Sequence, residues 1–195
     1  MILVFGKTGQ VARELAADET VTCLSRDQAD LTDPAACAEV IRAHAPAAVI
    51  NAAAYTVVDR AEAEEDLATL INGTTPGVMA ETCATLGIPF VTLSTDYVFD
   101  GKGSSPWHPD EPVAPLNAYG RSKQLGEAAV RLAGGTHVIL RTSWVVSAHG
   151  SNFVKTMLRL GKARERMRVV ADQIGAPTPA RAIAAACIEI ARQLV

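Results

Sequence analysis

The chain has 195 residues, 49% of them hydrophobic and 20% charged, and it carries a formal net charge of −3. This length and composition predict one compact domain with a substantial core. The acidic balance, the absence of a Lys/Arg block and the aromatic content of 5% exclude the charged and base-stacking surfaces of nucleic-acid-binding proteins.

Short apolar runs alternate with longer helical patterns along the chain. The runs are near-continuous, as expected of strands covered on both faces, and lie at 1–5, 20–25, 47–51, 89–94 and 137–141. The helical patterns lie between them at 10–17, 33–45, 75–87 and 117–135. Asp33 and Pro34 mark a helix start, and Gly87 a helix end. This alternation predicts a doubly wound, Rossmann-like α/β fold with a parallel sheet.

Three further segments complete the organisation. The Pro- and Gly-rich connection at 96–116 is long enough to indicate a functional loop before the fourth helix. The acidic run at 60–68 is predicted to be a solvated helix face. After residue 142 the pattern contains two helical segments and one short strand, too little for a full second domain. We therefore expect a dinucleotide-binding domain at 1–142 and a partial substrate-binding segment packed on it at 143–195.

A glycine motif, GKTGQVA at 6–12, follows the first strand directly. Glycines there allow a tight turn and let backbone N–H groups approach a pyrophosphate at the start of the helix. The small Ala12 suits close packing of helix on strand. A glycine-rich turn without a ligand is the alternative, and the absence of G-K-[ST] excludes a P-loop.

Ser25 ends the predicted second strand and Arg26 follows it, at the position where dinucleotide sites place the group that reads the ribose 2′ position. A hydroxyl and a guanidinium suit the 2′-phosphate of NADPH better than the acidic residue typical of NAD sites. An ordinary exposed arginine beside Asp27 is the alternative. Asp30 and Leu31 are expected near the adenine.

Three alanines at 52–54 end the third strand within NAAAYT. They leave room for a cofactor backbone at the carboxyl edge of the sheet, although a tightly packed strand end explains them equally well. The fourth strand ends in LSTDYVFDG, which places the Thr95 hydroxyl at the same edge.

Tyr119 and Lys123, in NAYGRSK, are four residues apart, so a helix presents both on one face. The pair alone is also explained by an ordinary surface helix. Together with the strand-end hydroxyl of Thr95, however, the two side chains can converge on one carbonyl group. The four histidines are widely separated along the chain, so we predict no metal site.

In this order, the segments GKTGQV, NAAAYTVVDRAE, STDYVFDG, PLNAYGRSK, RTSWV, NFVKTMLRL and DQIGAPT resemble the extended short-chain dehydrogenase/reductase family over nearly the whole chain. STDYVFDG and DQIGAPT are much more specific than the glycine motif. Members of this family continue with a further substrate-side segment, so 143–195 is expected to be a truncated or minimal version of that part.

The resemblance implies reduction of the C4 keto group of a nucleotide-linked 6-deoxyhexulose by NADPH, with NADH as the alternative cofactor. It implies Thr95, Tyr119 and Lys123 as the catalytic set. Tyr119 would donate a proton, Lys123 would lower the tyrosine pKa through its charge, and Thr95 would hydrogen-bond the carbonyl oxygen. It also implies a monomer or a homodimer.

The expected cofactor contacts are Gly6, Thr8, Gly9, Gln10, Val11, Ser25, Arg26, Asp30, Leu31, Ala52, Ala53, Ala54, Tyr55, Thr56, Tyr119 and Lys123. The expected substrate contacts are Thr56, Val58, Thr95, Asp96, Tyr97 and Trp144.

Other functions on the same fold remain alternatives. A sugar-nucleotide dehydratase needs an acid pair after the strand-four threonine, and Tyr97 after Asp96 counts against it. Another nucleotide-sugar reductase or epimerase would share the fold and the cofactor loop. A non-catalytic NADP(H)-binding regulatory subunit is the alternative from a different class, and a Rossmann-like domain without a ligand is the last.

The sequence also bears on location. The N-terminus begins directly with MILVFG, without a basic region, and this apolar run is too short for a signal peptide or a membrane span. The four cysteines form no C-x-x-C pair and have apolar or periodic neighbours, which predicts buried free thiols in a reducing compartment. We therefore expect a cytoplasmic protein with no membrane partner.

Overall fold

The structure, a computed structural model, describes residues 1–195 and is built on a five-stranded parallel sheet. The strands run in the order β2-β1-β3-β4-β5 and are β1 (Ile2–Phe5), β2 (Val21–Leu24), β3 (Ala48–Asn51), β4 (Phe90–Thr95) and β5 (His137–Thr142). A separate parallel pair joins β6 (Val145–Val146) to β7 (Thr178–Pro179). The predicted parallel, doubly wound α/β fold and its five strands are confirmed.

Eight α-helices and two irregular helical turns surround the sheets. The α-helices are α1 (Gln10–Leu15), α2 (Pro34–His44), α3 (Val58–Ala61), α4 (Glu65–Thr69), α5 (Thr75–Leu86), α6 (Ala118–Leu132), α7 (Phe153–Ala163) and α8 (Ala180–Leu194). A π-helical turn (Leu70–Thr74) follows α4, and a 3₁₀ turn (Asp96–Val98) follows β4. Asp33 caps α2 by accepting from Ala36 N, and Gly87 ends α5 with a φ of +67°, both as predicted. No helix combines the length and apolar character needed to cross a bilayer.

Alternation along β1 divides the core between the two faces of the sheet. Leu3 and Phe5 point to the face covered by α2, α5 and α6, whereas Ile2 and Val4 point to the face covered by α1 and α8. All four side chains are buried, which explains why the strand is apolar at every position. The last helix, α8, therefore completes the core beneath β3 and β4 rather than standing apart from it.

The helix before β4 begins earlier than the sequence indicates. The segment from Glu65 to Leu86 is helical throughout, passing from α4 through the π-turn into α5, whereas we predicted a start at residue 75. Pro76 suggested that start, because proline favours the first turn of a helix and has no N–H to donate within it. The wider π-turn ends at Thr74, two residues before Pro76, and the Thr75 hydroxyl donates to Leu31 O at 2.6 Å.

Helix α6 packs against its neighbours through small residues. A Cβ on Gly126 would collide with Asn72 O in the π-turn, and one on Gly120 would collide with Tyr97 O. A Cβ on Gly77 of α5 would likewise press into the Cβ of Ala129 at 2.7 Å. These contacts hold α6 against the π-turn and the end of β4 more closely than any larger side chain allows.

The cysteines lie in the core and near it. Cys37, Cys83 and Cys187 are buried, Cys23 is partly exposed, and all four are free thiols. Burial raises the pKa of Cys37 to about 11 and that of Cys83 and Cys187 to about 12. Burial also raises the pKa of Cys23.

Gly126→Ala tests the close packing of α6. The added methyl group must displace backbone of the π-turn, so we expect a loss of about 1–3 kcal/mol in the free energy of unfolding by urea. Gly161→Ala in α7 is the matched control, because its Cβ would meet only Met167 at an ordinary 3.8 Å. Alanine should stabilise that helix by about 0.5–1 kcal/mol. Equal effects at the two positions would contradict the packing argument.

Candidate functional site

One large cleft, of about 1040 Å³, opens at the carboxyl ends of the strands. Chain connections leave β1 and β3 toward opposite sides of the sheet, and ligands bind at such switch points in open α/β sheets. Gly6 forms the turn after β1 with a φ of +114°, where its absent Cβ would lie 3.3 Å from Ala52 C and Ala53 N. Only glycine accommodates both the backbone angle and this close approach.

The structure brings almost all predicted site residues to this cleft. Every expected cofactor and substrate contact lines it except Ser25. Ser25 instead binds back on its own loop, since its N and Oγ both donate to Gln28 Oε1, at 2.9 and 3.0 Å. Arg26 remains on the rim, where its Nε donates to Asp30 Oδ2 at 3.1 Å.

The cleft has two walls that sequence reasoning missed. Arg60 and Glu64 form part of one wall, and residues 150–152 part of the other. Glu64 also accepts from the Tyr55 hydroxyl at 2.7 Å. The only available signal was the resemblance of NAAAYTVVDRAE and NFVKTMLRL to family segments, which includes Arg60 and Asn152 but stops short of Glu64 and of residues 150–151.

The three predicted catalytic side chains meet beyond the end of β4. Thr95 ends the strand, and its Oγ1 accepts from Tyr97 N at 3.2 Å and donates to Asp96 Oδ1 at 3.2 Å. Tyr119 lies in the first turn of α6, which Asn117 caps by accepting from Gly120 N at 2.7 Å. Its ring packs edge-on against Tyr97, with centroids 5.6 Å apart.

Lys123 lies one turn further along α6 and is almost completely buried. Its Nζ donates to Leu93 O at 2.6 Å. Burial lowers the pKa of Lys123 to about 8, and the negative charge of Glu127 opposes this shift. The ammonium group is therefore held at the end of β4, and its pKa lies close to neutral pH.

The Tyr119 phenol stays protonated over the whole physiological range. Burial raises the pKa of Tyr119 to about 12, and the Thr95 hydroxyl only partly opposes this, while Asp96 adds to it. We expected Lys123 to lower the pKa of Tyr119, but this is not the case. The causes of the shift are burial and the neighbouring Thr95, Asp96 and Tyr97. A protonated phenol beside a strand-end hydroxyl is suited to donating a proton.

A buried carboxylate lies one further turn along α6. Glu127 is 2% exposed and accepts from Ser94 Oγ at 2.6 Å and from Arg141 Nε and Nη2 at 2.8 and 2.6 Å. Burial alone would raise the pKa of Glu127, but the Arg141 and Ser94 hydrogen bonds outweigh it, so the pKa is lowered. Glu127 therefore remains charged and ties α6 to the ends of both β4 and β5.

Asn72 in the π-turn joins the two sides of the cleft. Its Oδ1 accepts from Tyr55 N at 2.9 Å, and its Nδ2 donates to Tyr55 O at 2.9 Å and to Ser122 Oγ at 3.0 Å. Ser122 Oγ in turn donates to Tyr119 O at 2.7 Å. One buried amide thus fixes the loop after β3 relative to the helix that carries Tyr119 and Lys123.

The acidic run at 60–68 is largely exposed, as predicted, but two of its carboxylates also bind α6. Glu62 accepts from Ala118 N, at the start of α6, at 2.7 Å. Glu65 forms two hydrogen bonds with Arg121 of α6, at 2.7 and 3.0 Å. These carboxylates stabilise the N-terminal turn of α6, where negative charge is favourable, and so hold Tyr119 in place.

The opposite wall of the cleft carries Trp144, which has a left-handed φ of +45°. This conformation is unfavourable for a bulky residue and is maintained by its surroundings. The indole packs on Phe153, with ring centroids 5.2 Å apart, and covers Gly175, where any Cβ would collide with it. The DQIGAPT segment thereby supplies the space that Trp144 occupies.

The comparisons with known proteins agree with this geometry. The sequence matches the family described as "RmlD substrate binding domain" over residues 1–195. It is 51% identical over 187 residues to a dTDP-4-dehydrorhamnose reductase from Burkholderia thailandensis, covering 94% of this chain and 63% of the relative. It is 44% identical over 198 residues to the enzyme of the same name from Sinorhizobium fredii, covering 100% and 67%.

A solved structure is similar over the same extent. The crystal structure of dTDP-4-dehydrorhamnose reductase from Bacillus anthracis in complex with NADP superposes with a TM-score of 0.94 at 35% identity, covering 100% of this chain and 71% of that one. The chain thus spans 63% and 67% of the length of the two curated relatives.

Lys123→Met tests the burial of the ammonium group. An unfolded chain holds this proton up to the ordinary pKa of 10.5, whereas the folded protein releases it near 8. Between these values the unfolded state binds more protons, so wild-type stability rises with pH. Relative to Lys123→Met, wild type should gain up to about 3 kcal/mol between pH 8 and 10.5 in urea unfolding. A stability difference independent of pH would contradict this.

Asn72→Ala tests the role of the buried amide. It removes three hydrogen bonds and leaves buried backbone groups of Tyr55 without partners, so we expect a loss of about 3 kcal/mol or more in the free energy of unfolding. Asn51→Ala is the matched control, since Asn51 is equally buried but its Nδ2 has no partner and its Oδ1 accepts only from Ala53 N. That variant should lose about 1 kcal/mol. An equal or greater loss at Asn51 would refute the assignment.

Proposed function

Because the chain belongs to the RmlD substrate-binding domain family, we propose that it reduces the C4 keto group of dTDP-4-dehydro-L-rhamnose to form dTDP-L-rhamnose, with NADPH as the reductant. This step would serve nucleotide-sugar synthesis for cell-surface polysaccharide. The observation that carries the proposal is the convergence of Thr95, Tyr119 and Lys123 in a cleft that also contains the glycine turn. The two relatives named dTDP-4-dehydrorhamnose reductase support the identity of the sugar substrate.

The residues of the cleft fit a dinucleotide. Gly6 and the alanines at 52–54 leave a backbone-lined trough, and the position of a Cβ on Gly9 is open space. Arg26 uses its Nε for Asp30 and has both terminal nitrogens free for the 2′-phosphate of NADPH. Asp30 is the group that suits a ribose hydroxyl, which keeps NADH as the alternative cofactor. The NADP complex of the Bacillus anthracis protein supports NADPH as the cofactor.

The proposed chemistry assigns one role to each side chain. NADPH, when bound, supplies the hydride to C4 of the sugar. The Tyr119 phenol, which is protonated at neutral pH, donates its proton to the carbonyl oxygen as negative charge develops there. The Thr95 hydroxyl would turn its proton from Asp96 to the same oxygen, and Lys123 would hold the nicotinamide ribose.

We further propose a division of labour along the chain. Residues 1–142 would hold the cofactor, and 143–195 would supply the substrate side through Trp144. The indole face is suited to a sugar ring, with Thr56, Val58, Asp96 and Tyr97 across the cleft. Four free thiols support a reducing, cytoplasmic location, and the resemblance supports a monomer or a homodimer.

Tyr119→Phe tests the proposal by following NADPH oxidation with dTDP-4-dehydro-L-rhamnose. Removing the proton donor should lower kcat by at least about 100-fold. NADPH binding, titrated in parallel by its fluorescence, should persist in the variant and shows that the cleft is intact. Turnover that survives in Tyr119→Phe would contradict the proton-donor role.

The same titration separates the remaining alternatives. A wild-type chain that binds NADPH without turning over the sugar would favour the non-catalytic NADP(H)-binding subunit. A wild-type chain that reduces a different nucleotide-linked keto sugar would change the substrate but keep the mechanism. A chain that binds no NADPH would overturn the assignment of the cleft, including the glycine turn at Gly6, as a cofactor site.

A further inference from the structure

Gln10 joins the glycine turn to the side of the cleft that carries Trp144 and residues 150–152. It is the first residue of α1, directly after the glycine turn. Its Nε2 donates to Val145 O at 3.3 Å, and its Oε1 accepts from Ser147 Oγ at 3.1 Å and from Asn152 Nδ2 at 2.8 Å. These partners lie 135 to 142 residues further along the chain. The amide therefore uses both its donor and its acceptor to join the cofactor turn to the opposite wall.

The partner segment is itself braced. Asn152 caps α7 by accepting from Lys155 N at 3.0 Å, while its Nδ2 also donates to Ser147 O at 2.9 Å. Lys155 Nζ donates to Ala148 O and Gly150 O, at 2.8 and 2.7 Å. The loop at 147–152 is thus held together by its own hydrogen bonds. Its polar side-chain contacts with α1 are those of Gln10 and of His149, whose Nε2 lies 3.4 Å from Glu14 Oε1.

This braced loop is flanked by the aromatic wall of the cleft. Trp144 precedes it, and Phe153, on which the indole packs, follows it directly. The left-handed φ of Trp144 is unfavourable and needs support from its neighbours. A path of direct contacts therefore runs from the glycine turn through Gln10 and Asn152 to Phe153 and Trp144.

We propose that Gln10 is a positioning residue that couples cofactor binding to the placement of Trp144. The inference rests on the proposed function, in which the turn at 6–10 holds the cofactor and Trp144 faces the sugar. A cofactor that orders the turn also orders Gln10, which lowers the cost of ordering the loop at 147–152 and the indole beside it. Because such coupling is reciprocal, bound sugar nucleotide tightens cofactor binding by the same factor.

Glutamine is specifically suited to this role. Methionine has a similar length but neither donates to Val145 O nor accepts from Asn152. Glutamate would accept but not donate, and would place a negative charge beside the expected pyrophosphate. Gln10→Met keeps the backbone N–H groups of the turn and removes the side-chain bridge. Gln193→Met is the matched control, because Gln193 lies on α8 and binds only Glu189, outside the cleft.

The first measurement follows the indole directly. A Trp107→Phe background leaves Trp144 as the sole tryptophan. Saturating NADP⁺ should lower the iodide quenching constant of Trp144 at least twofold in the Trp107→Phe protein. The same decrease is expected when that protein also carries Gln193→Met. The protection should disappear in Gln10→Met, tested at an NADP⁺ concentration that calorimetry shows to saturate that variant.

The second measurement gives the coupling factor. Calorimetric titration of dTDP-L-rhamnose, with and without saturating NADP⁺, should show at least a fivefold tightening in the Trp107→Phe protein and less than twofold in Gln10→Met. If Gln10→Met binds NADP⁺ and retains both the protection of Trp144 and the coupling, the inference is overturned while the proposed function stands. If neither protein binds NADP⁺, the proposed function is overturned, and the inference with it.

Discussion

The geometry of the cleft depends on one buried amide, that of Asn72. Its two hydrogen bonds with the backbone of Tyr55 replace the strand pairing that β3 loses as it leaves the sheet, and its third reaches Ser122 on α6. An unpaired polar group costs far more in a buried position than at the surface, so losing any one of these bonds destabilises the arrangement. The cofactor side and the proton-donor side of the cleft are consequently held in one fixed relation.

The rest of α6 is arranged to preserve that relation. Gly120 and Gly126 bring its backbone against the 3₁₀ turn and the π-turn, while Glu62 and Glu65 hold its first turn from outside. Glu127 holds the middle of the helix against the strand ends. A helix constrained at its start, along one face and at its middle has little freedom to shift. Tyr119 and Lys123 are therefore pre-positioned, which is the condition under which a proton donor is most effective.

The sequence predicted the parts of the molecule that depend on local pattern. The strands were predictable because each is a short apolar run, and the glycine turn, the alanines after β3 and the Y-x-x-x-K pair were predictable because each lies beside such a run or in a helical pattern. The π-turn was missed because INGTTPG contains the proline that normally starts a helix. The hydrogen bonds of Glu62 and Glu65 to α6 were missed because their partners lie 56 residues away. The position of Ser25 depends on its hydrogen bonds to Gln28, which the strand pattern does not indicate. The pKa values of Tyr119 and Lys123 depend on burial, which no local pattern reveals.

The thiols of the core have a practical consequence for spectroscopy. A thiol with a pKa of about 12 exists as the reactive thiolate in only about one molecule in 10⁵ at pH 7, against about 3% for an exposed cysteine with a pKa near 8.5. Cys37, Cys83 and Cys187 are therefore nearly inert toward maleimide and iodoacetamide reagents at neutral pH, and the raised pKa of Cys23 slows it as well. A cysteine introduced on the surface would outcompete all four, so fluorophores or spin labels can be attached across the cleft without first removing the native thiols.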